Sequence, residues 1–271
     1  MTQIVGVVLV RNEDLLVEHA IRSVTDFCDR IHALDHVSTD GTWDILRALE
    51  RDYDHLDVRR TTHAGDSQRV LERYAGTDTW VFGVDGDEFY DSQRLRALRN
   101  DLLAGAYHDV FKIGYNMLNC VEIDWEARTA SGYLSPPSRL ARKLFNFAAI
   151  ESWKGHGAER LHGGVVVFRP GYDHTSVDNI GDRLSWDETP LRCLHATFLR
   201  RSSADPEHEQ PVLRPILMES AMQDRSWRGG LKRFLRRRRP PAVSEWKPQK
   251  YMRGELVTVD ASPFLLAQAS E

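Results

Sequence analysis

The stretch that most constrains this chain is Thr79 to Tyr90, which reads Thr-Trp-Val-Phe-Gly-Val-Asp-Gly-Asp-Glu-Phe-Tyr. Trp80 to Val84 is a short apolar run rich in aromatic and β-branched residues, the composition of a buried strand. The run stops at three acids, Asp85, Asp87 and Glu88, with Gly86 among them to loosen the backbone. A strand that ends in carboxylates places them at its C-terminal edge, where open α/β sheets bind their ligands. Two acids separated by one small residue turn oxygens toward a common point, and Mg²⁺ and Mn²⁺ take such oxygens together with substrate phosphates. Asp85 and Asp87 are therefore the leading candidates for a metal–diphosphate site. The plain alternative is a polar turn whose acids face water.

The flanking pattern sets the fold. Ile4–Val10 is a near-continuous apolar strand, as in a parallel sheet covered on both faces. Helical spacing follows over Asp14–Phe27, then a strand over Arg30–Asp35 that again closes on an aspartate. A polar loop, His36–Thr42, leads to a helix over Trp43–Asp52, a strand over Leu56–Arg60, a helix over Asp66–Tyr74 and the strand Trp80–Val84. This alternation predicts an α/β protein: a Rossmann-like, doubly wound, mostly parallel sheet with right-handed crossovers. Beyond it, the pattern predicts a helix over Ser92–Leu103 and a strand over His108–Tyr115, with Asn119–Trp125 turning back to pair with that strand. Val165–Phe168 and the apolar run Leu191–Phe198 read as late strands, and Val257–Val259 as an edge strand before a polar, frayed end.

Charge and cysteine usage narrow the function classes. The formal net charge of the 271 residues is −4, so no overall excess points to nucleic acid. Cys28, Cys120 and Cys193 are odd in number and widely spaced, against a disulfide framework or zinc ribbon. No apolar stretch reaches the length of a membrane span, and Met1–Gln3 followed by Ile4–Val10 reads as a first strand and not a signal peptide. The expectation is a cytoplasmic protein. Arg225–Arg239 contains no acid. It suits a lid that neutralises a departing diphosphate, a peripheral contact with the anionic inner face of a membrane, or a nonspecific hold on a phosphorylated or nucleic-acid partner. It equally suits a solvated basic helix before the Pro240-Pro241 break; no specific nucleic acid is expected.

Four motifs in order resemble a known family. Val10-Arg11-Asn12-Glu13 resembles the V-x-N-E opening of family 2 glycosyltransferases, and Asp35 with Ser38-Thr39-Asp40-Gly41-Thr42 is similar to their D-x-x-S-T-D-G-T segment. Asp66-Ser67-Gln68-Arg69 lies where such enzymes often carry an arginine after the third strand, and Asp85-Gly86-Asp87-Glu88-Phe89 resembles their D-x-D stretch. The resemblance covers residues 4 to 90 firmly and the rest loosely. It implies a GT-A fold, a nucleotide-sugar donor (a UDP-sugar foremost), a divalent metal (Mn²⁺ or Mg²⁺) and inversion at the anomeric carbon. It also implies a division into a nucleotide-sugar half (1–105), an acceptor and catalytic half of the same domain with α+β character (106–224), and the basic segment (225–271).

The residues make chemical sense in these roles. Asp35 and Asp40 suit hydrogen bonds to a base or ribose, although Ser38, Thr39 and Asp40 also suit the N-cap of the helix beginning near Trp43. Arg69 suits stacking on a base or approach to a diphosphate, or a solvated helix face. Glu13 and Arg11, just past the first strand, are carried with the nucleotide side. Inverting transfer needs a base for the acceptor hydroxyl. The segment Glu151–Gly164 is dense in glycine, aromatic and titratable residues and loosely resembles a G-x-x-H-E element, although His156 and Glu159 are not adjacent here. Glu159 is the first candidate, then His156, with Glu151 and Asp187 behind. His195, inside an apolar run, resembles the C-terminal histidine that some metal-dependent members use as a third metal ligand; a satisfied core histidine is the alternative.

The reading is thus a metal-dependent inverting glycosyltransferase with an unknown acceptor. One rival is a nucleotidyltransferase, which usually carries a Gly-rich loop after the first strand where this chain has Arg11-Asn12-Glu13. The other is a non-catalytic α/β domain that docks on an anionic surface through Arg225–Arg239.

Overall fold

The alternating apolar and amphipathic segments of the first hundred residues build a parallel sheet. The computed structural model describes residues 1–154, 161, 164–205 and 246–265. Strands β1 (Gln3–Val10), β2 (Arg30–Asp35), β3 (Leu56–Arg60) and β4 (Thr79–Val84) all run parallel, in the spatial order β3-β2-β1-β4. The register pairs Val10 with Asp35 and Asp35 with Arg60, so the C-terminal ends of three strands come level. Val8 pairs with Val84, which brings the residues just after β4 to the same edge.

The residues of β1 are buried on both sides because each face is covered. Val8 and Val10 pack with Val17 and Ile21 of α1 (Val17–Arg22) and Leu46 and Leu49 of α2 (Thr42–Asp52). Val7 and Leu9, of opposite parity, pack with Leu71 of α3 (Asp66–Glu72) and Tyr74 just beyond it. Each such aliphatic side chain contributes roughly 1.5–3 kcal/mol by leaving water, so β1 anchors the domain. Helix α4 (Ser92–Leu103) starts at Asp91, whose side chain accepts from the amides of Gln93 and Arg94, and buries Leu95, Leu98 and Leu102 at helical spacing.

The second half extends this sheet with antiparallel strands. β5 (Glu88–Tyr90) follows the acidic loop; β6 (Lys112–Asp124), β7 (Thr129–Leu134) and β8 (Ala141–Asn146) follow α4. β8 lies between β4 and β6 and is antiparallel to both. A ribbon of β9 (Ile150–Lys154) and β10 (Val165–Phe168) stands apart from the sheet. β11 (Val177–Asn179) and β12 (Arg192–His195) run parallel to β6, a short α5 (Ile180–Arg183) lying between them in sequence. After α6 (Trp246–Tyr251), β13 (Leu256–Asp260) closes the path as an edge strand on β7. The fold class is the one expected: α/β, doubly wound around a parallel half, with an α+β extension.

Two element expectations are corrected. The helix expected over Asp14–Phe27 is confined to Val17–Arg22, with turns on either side. The segments His108–Tyr115 and Asn119–Trp125 do not turn back on each other: residues 112–124 form one strand of 13 residues. Lys112–Cys120 is buried almost continuously, so alternation could not show one strand passing through. The turn lies later, where Asp124 Oδ1 accepts from the amides of Glu126 and Ala127 and β7 begins. No described helix is long and apolar enough to cross a membrane.

Candidate active site

The acidic loop Asp85-Gly86-Asp87 leaves β4 and turns at once into β5. Gly86 is required sterically, because a Cβ there would collide with the Glu13 carboxylate and lie 2.6 Å from Val10 Cγ1. The loop therefore sits tight against the end of β1. Asp85 and Asp87 of this loop, with Glu88 at the start of β5, divide into two groups, each facing a cation.

Asp85 Oδ2 accepts from the ammonium of Lys143 on β8, and the same ammonium donates to Glu88 Oε1 at 2.6 Å. Glu88 Oε2 accepts from the Asp85 amide at 3.2 Å and from the Tyr90 hydroxyl at 2.8 Å, which in turn meets the Tyr115 hydroxyl at 2.8 Å. Glu88 is fully buried. Burial pushes its carboxyl up, against the pull of Lys143. Burial alone would lower the Lys143 ammonium, but the Glu88 carboxylate and its neighbours outweigh this and hold its pKa raised. Lys143 is thus a buried, charged pin that fixes both acids.

Asp87 is nearly inaccessible and faces a different pair. An Arg201 guanidinium nitrogen lies 3.3 Å from Asp87 Oδ2, and another lies 3.2 Å from Glu13 Oε1. Burial works against the charge on Arg201, yet Asp87 and Glu13 hold its pKa raised. His195 Nε2 lies 3.8 Å from Asp87 Oδ2. Backbone pairing delivers it there: β12 is antiparallel to β5 with His195 opposite Glu88, and parallel to β6 with His195 opposite Asn119. Asn119 Nδ2 donates to the Tyr133 carbonyl at 3.1 Å, which turns Asn119 Oδ1 to accept from His195 Nδ1 at 3.0 Å. The ring is then the tautomer whose Nε2 lone pair looks toward Asp87.

The nucleotide-side residues form a second group at the ends of β1 and β2. Asp35 is fully buried and accepts from the Ser38 amide at 3.2 Å and from Arg60 Nε at 2.7 Å. The Arg60 guanidinium lies 4.5 Å over the Trp43 ring. Asp40 accepts from the Thr42 amide and hydroxyl at 3.0 and 2.6 Å, and from the Ser202 hydroxyl at 2.5 Å. Burial acts to raise its carboxyl, and these bonds outweigh that and lower it. Asp40 thus bonds Thr42 at the head of α2, but the N-cap position is Gly41 and carries no side-chain cap, so the capping alternative is not met. Asn12, at φ 54°, sends its side chain to the Thr39 amide at 2.8 Å, and Arg11 is exposed beside it. Residues 201–203 cross this group: Arg201 meets Glu13, Ser202 meets Asp40, and the Ser203 amide donates to Asp14 Oδ1 at 2.7 Å.

The expected residues thus fall in three places. Asp87, His195 and Glu13 come together, with Arg201 between Asp87 and Glu13, while Asp85 faces Lys143 on the other side of the loop. Asp35 and Asp40 line the adjoining strand ends. Arg69 joins neither group; it is exposed, pairs with Asp66 at 2.9 Å, and lines a cleft that adjoins the second group at Arg60. Glu159 and His156 lie outside the described residues, as does Arg225–Arg239. Of the other base candidates, Glu151 is exposed on β9, and Asp187 is exposed and paired with Arg192 at 3.2 Å. Lys143 and Arg201 are the residues that sequence reasoning missed. Lys143 left no clear signal: it follows Arg142 in a strand of mixed polarity and reads as one more surface cation.

Among the described residues no group of three or more histidine, cysteine or acidic side chains has the geometry of a metal site. The donors Asp87 Oδ2 and His195 Nε2 nevertheless fit one divalent ion. Metal–ligand distances of about 2.0–2.2 Å allow two ligands of one ion to stand 3.8 Å apart, leaving other positions for diphosphate oxygens. Asp85 is turned to Lys143 instead.

No family model matches the chain, and no curated protein matches it. Among solved structures it is similar to S. aureus TarS in complex with UDP, with 16% identity over 46% of this chain and 37% of that one, at a TM-score of 0.33. It is also similar to the mannosyltransferase PcManGT from Pyrobaculum calidifontis in complex with GDP-Man and Mn²⁺, with 19% identity over 42% of this chain and 35% of that one, at 0.33. A mannose-6-phosphate isomerase from Helicobacter pylori matches at 0.34, with 8% identity over 71% of this chain and 96% of that one. The chain thus spans little more than a third of the TarS chain with UDP and of the mannosyltransferase. Likenesses of this order carry no argument, and the description of the fold rests on its own strand order and register.

Proposed function

We propose that the protein is a glycosyltransferase that moves a sugar from a nucleoside diphosphate sugar, foremost a UDP-sugar, to an acceptor with inversion and with a divalent cation. The observation that carries this reading is the meeting of Asp87, His195 and Arg201 at the C-terminal edge of the sheet, beside the strand ends that carry Asp35 and Asp40. Mn²⁺ or Mg²⁺ bound there supplies a Lewis acid for the leaving diphosphate. Asp87 and His195 hold it, and Asn119 keeps the imidazole in the ligating tautomer. Arg201 sets a second positive charge at the same place, preorganised by Glu13 so that it need not reorient as charge develops. Lys143 fixes Asp85 and Glu88, so the loop that presents Asp87 does not drift. Asp35, Asp40, Glu13 and Arg11 border the nucleoside. The half over 106–224 builds the acceptor side, with Glu159 as the first candidate for the base and His156 as the second, and the basic segment 225–271 is the part suited to a membrane face.

The test is nucleoside diphosphate release from a panel of sugar nucleotides with Mn²⁺, Mg²⁺ or chelator. One donor should be slowly hydrolysed, with loss of about 10²–10³-fold on chelation or in Asp87→Ala, the size expected when one electrostatic stabiliser is removed. Turnover that is indifferent to both would sink the metal reading. Absence of turnover with every donor would sink the transferase reading.

A further inference from the structure

Between α3 and the outer strands β2 and β3 lies a cleft of about 380 Å³ that shares no residue with the acidic centre. Its lining includes Arg59, Arg69 and Arg73, with Asp66 as the single lining carboxylate; Arg60 borders it too, but its guanidinium is turned to Asp35 and the Trp43 ring. Arg59 is paired with Asp57 at 2.8 Å, Arg60 with Asp35 at 2.7 Å and Arg69 with Asp66 at 2.9 Å. Arg73 has no carboxylate partner among the described residues. One of its nitrogens donates to His32 Nε2 at 3.0 Å and to the Tyr74 hydroxyl at 2.9 Å, and the guanidinium lies 4.9 Å over the Tyr74 ring.

This arrangement is built, not incidental. His32 is 2% exposed, and its Nδ1 donates to Asp57 Oδ2 at 3.1 Å, which leaves Nε2 as the acceptor for Arg73. Burial lowers the His32 pKa, so the ring stays neutral and adds no charge of its own. The buried imidazole, held by the half-buried Asp57, thus anchors at the cleft the one lining guanidinium that has no carboxylate partner among the described residues. Arg69 and Arg73 stand one helical turn apart and Arg59 lines the same cleft, so positive charge is concentrated on one cavity. A bound anion offsets that charge.

We propose that this cleft binds a phosphate monoester of about the size of a hexose phosphate, at a site separate from the acidic centre. Guanidinium forks match phosphate oxygens two at a time. The volume lies within the range of small-molecule sites, about 300–1,000 Å³, and exceeds what a bare phosphate fills. Leu34 and Val70 give the cleft apolar wall for a carbon skeleton. This assignment moves Arg69 away from the donor nucleoside, where the family resemblance puts it, and it does not depend on the transferase reading.

The test is calorimetric titration of the full chain with glucose 1-phosphate, inorganic phosphate and UDP. Glucose 1-phosphate should bind one to one, weaken by about tenfold or more in Arg73→Gln and in Arg69→Gln, and keep its affinity in Asp87→Ala. Arg69 is exposed and supports no buried bond, so Arg69→Gln decides the matter should Arg73→Gln unfold. Unchanged binding in Arg69→Gln overturns the proposal. So does inorganic phosphate binding as tightly as the ester, which would make this a bare-anion site. Competitive displacement by UDP, with UDP itself weakened by Arg69→Gln, overturns it too, because the cleft would then belong to the donor nucleotide.

Discussion

Two histidines, His32 buried and His19 half-buried, show how single residues set the pH behaviour of this protein. His19 sits among aromatic rings, 5.4 Å from Phe89 and 4.9 Å from Trp125, and its buried Nδ1 has no hydrogen-bond partner among the described residues. Burial lowers its pKa from 6.5, as it does for His32. A histidine whose folded pKa is depressed stabilises the fold above its unfolded pKa and loses that contribution as pH falls below it. The melting temperature should therefore fall as pH drops from about 7 toward 5, and His19→Phe should flatten part of that fall, as read by thermal scans across the range. An unchanged slope in His19→Phe would mean that other groups govern it. Gly86 makes a sharper case. Gly86→Ala drives a methyl into Glu13 and Val10, and should cost about 1–3 kcal/mol in denaturant unfolding as well as disturbing the Asp87 loop.

At the scale of elements, Arg192 ties three parts of the chain together. Its Nε and one terminal nitrogen donate to Asp91 Oδ2 at 3.1 and 3.0 Å, while the guanidinium lies 5.1 Å from the Trp186 ring and 5.3 Å from that of Phe264. Asp91 is also the N-cap of α4, so one carboxylate serves a helix start and a buried ion pair. Asp91→Ala should cost about 3 kcal/mol, because it removes the buried carboxylate from Arg192, leaving only the exposed Asp187, as well as a cap worth about 1. Asp91→Ser should recover the cap share alone, and equal losses in the two variants would refute the division. The parallel half was legible in the sequence because Ile4–Val10, Arg30–Asp35 and Trp80–Val84 each close on polar residues with a helix between. Lys112–Asp124 was not, since a strand buried on both faces loses its alternation. Likewise, Asp85, Asp87 and His195 could be picked out by chemical type, but Lys143 and Arg201 could not. Their charges have meaning only once β8 has been inserted beside β4 and residues 201–203 have crossed the ends of β1 and β2.

For the whole molecule, the acidic centre draws on β4, β5, β6, β8 and β12, whose pairings join residues up to about a hundred positions apart. No local unit contains it. On the proposed reading, donor-nucleotide binding and tryptophan fluorescence should therefore be lost at the same denaturant concentration, and binding lost well before the fluorescence change would show that the site opens separately. The long-range pairings also place refolding in the slower, millisecond-to-second range of domains dominated by nonlocal contacts.

The pairing of His195 with Glu88 on one side and Asn119 on the other means that this centre is defined by alignment as much as by composition. A strand shifted by one residue presents its other face. Deleting one residue from the approach to Arg192 could leave every core side chain type in the sequence, yet a strand that slid to compensate would offer Leu194 or Ala196 where the imidazole stands. In this fold, length between elements is chemical information: a change that alters no titratable group can still remove one from the site.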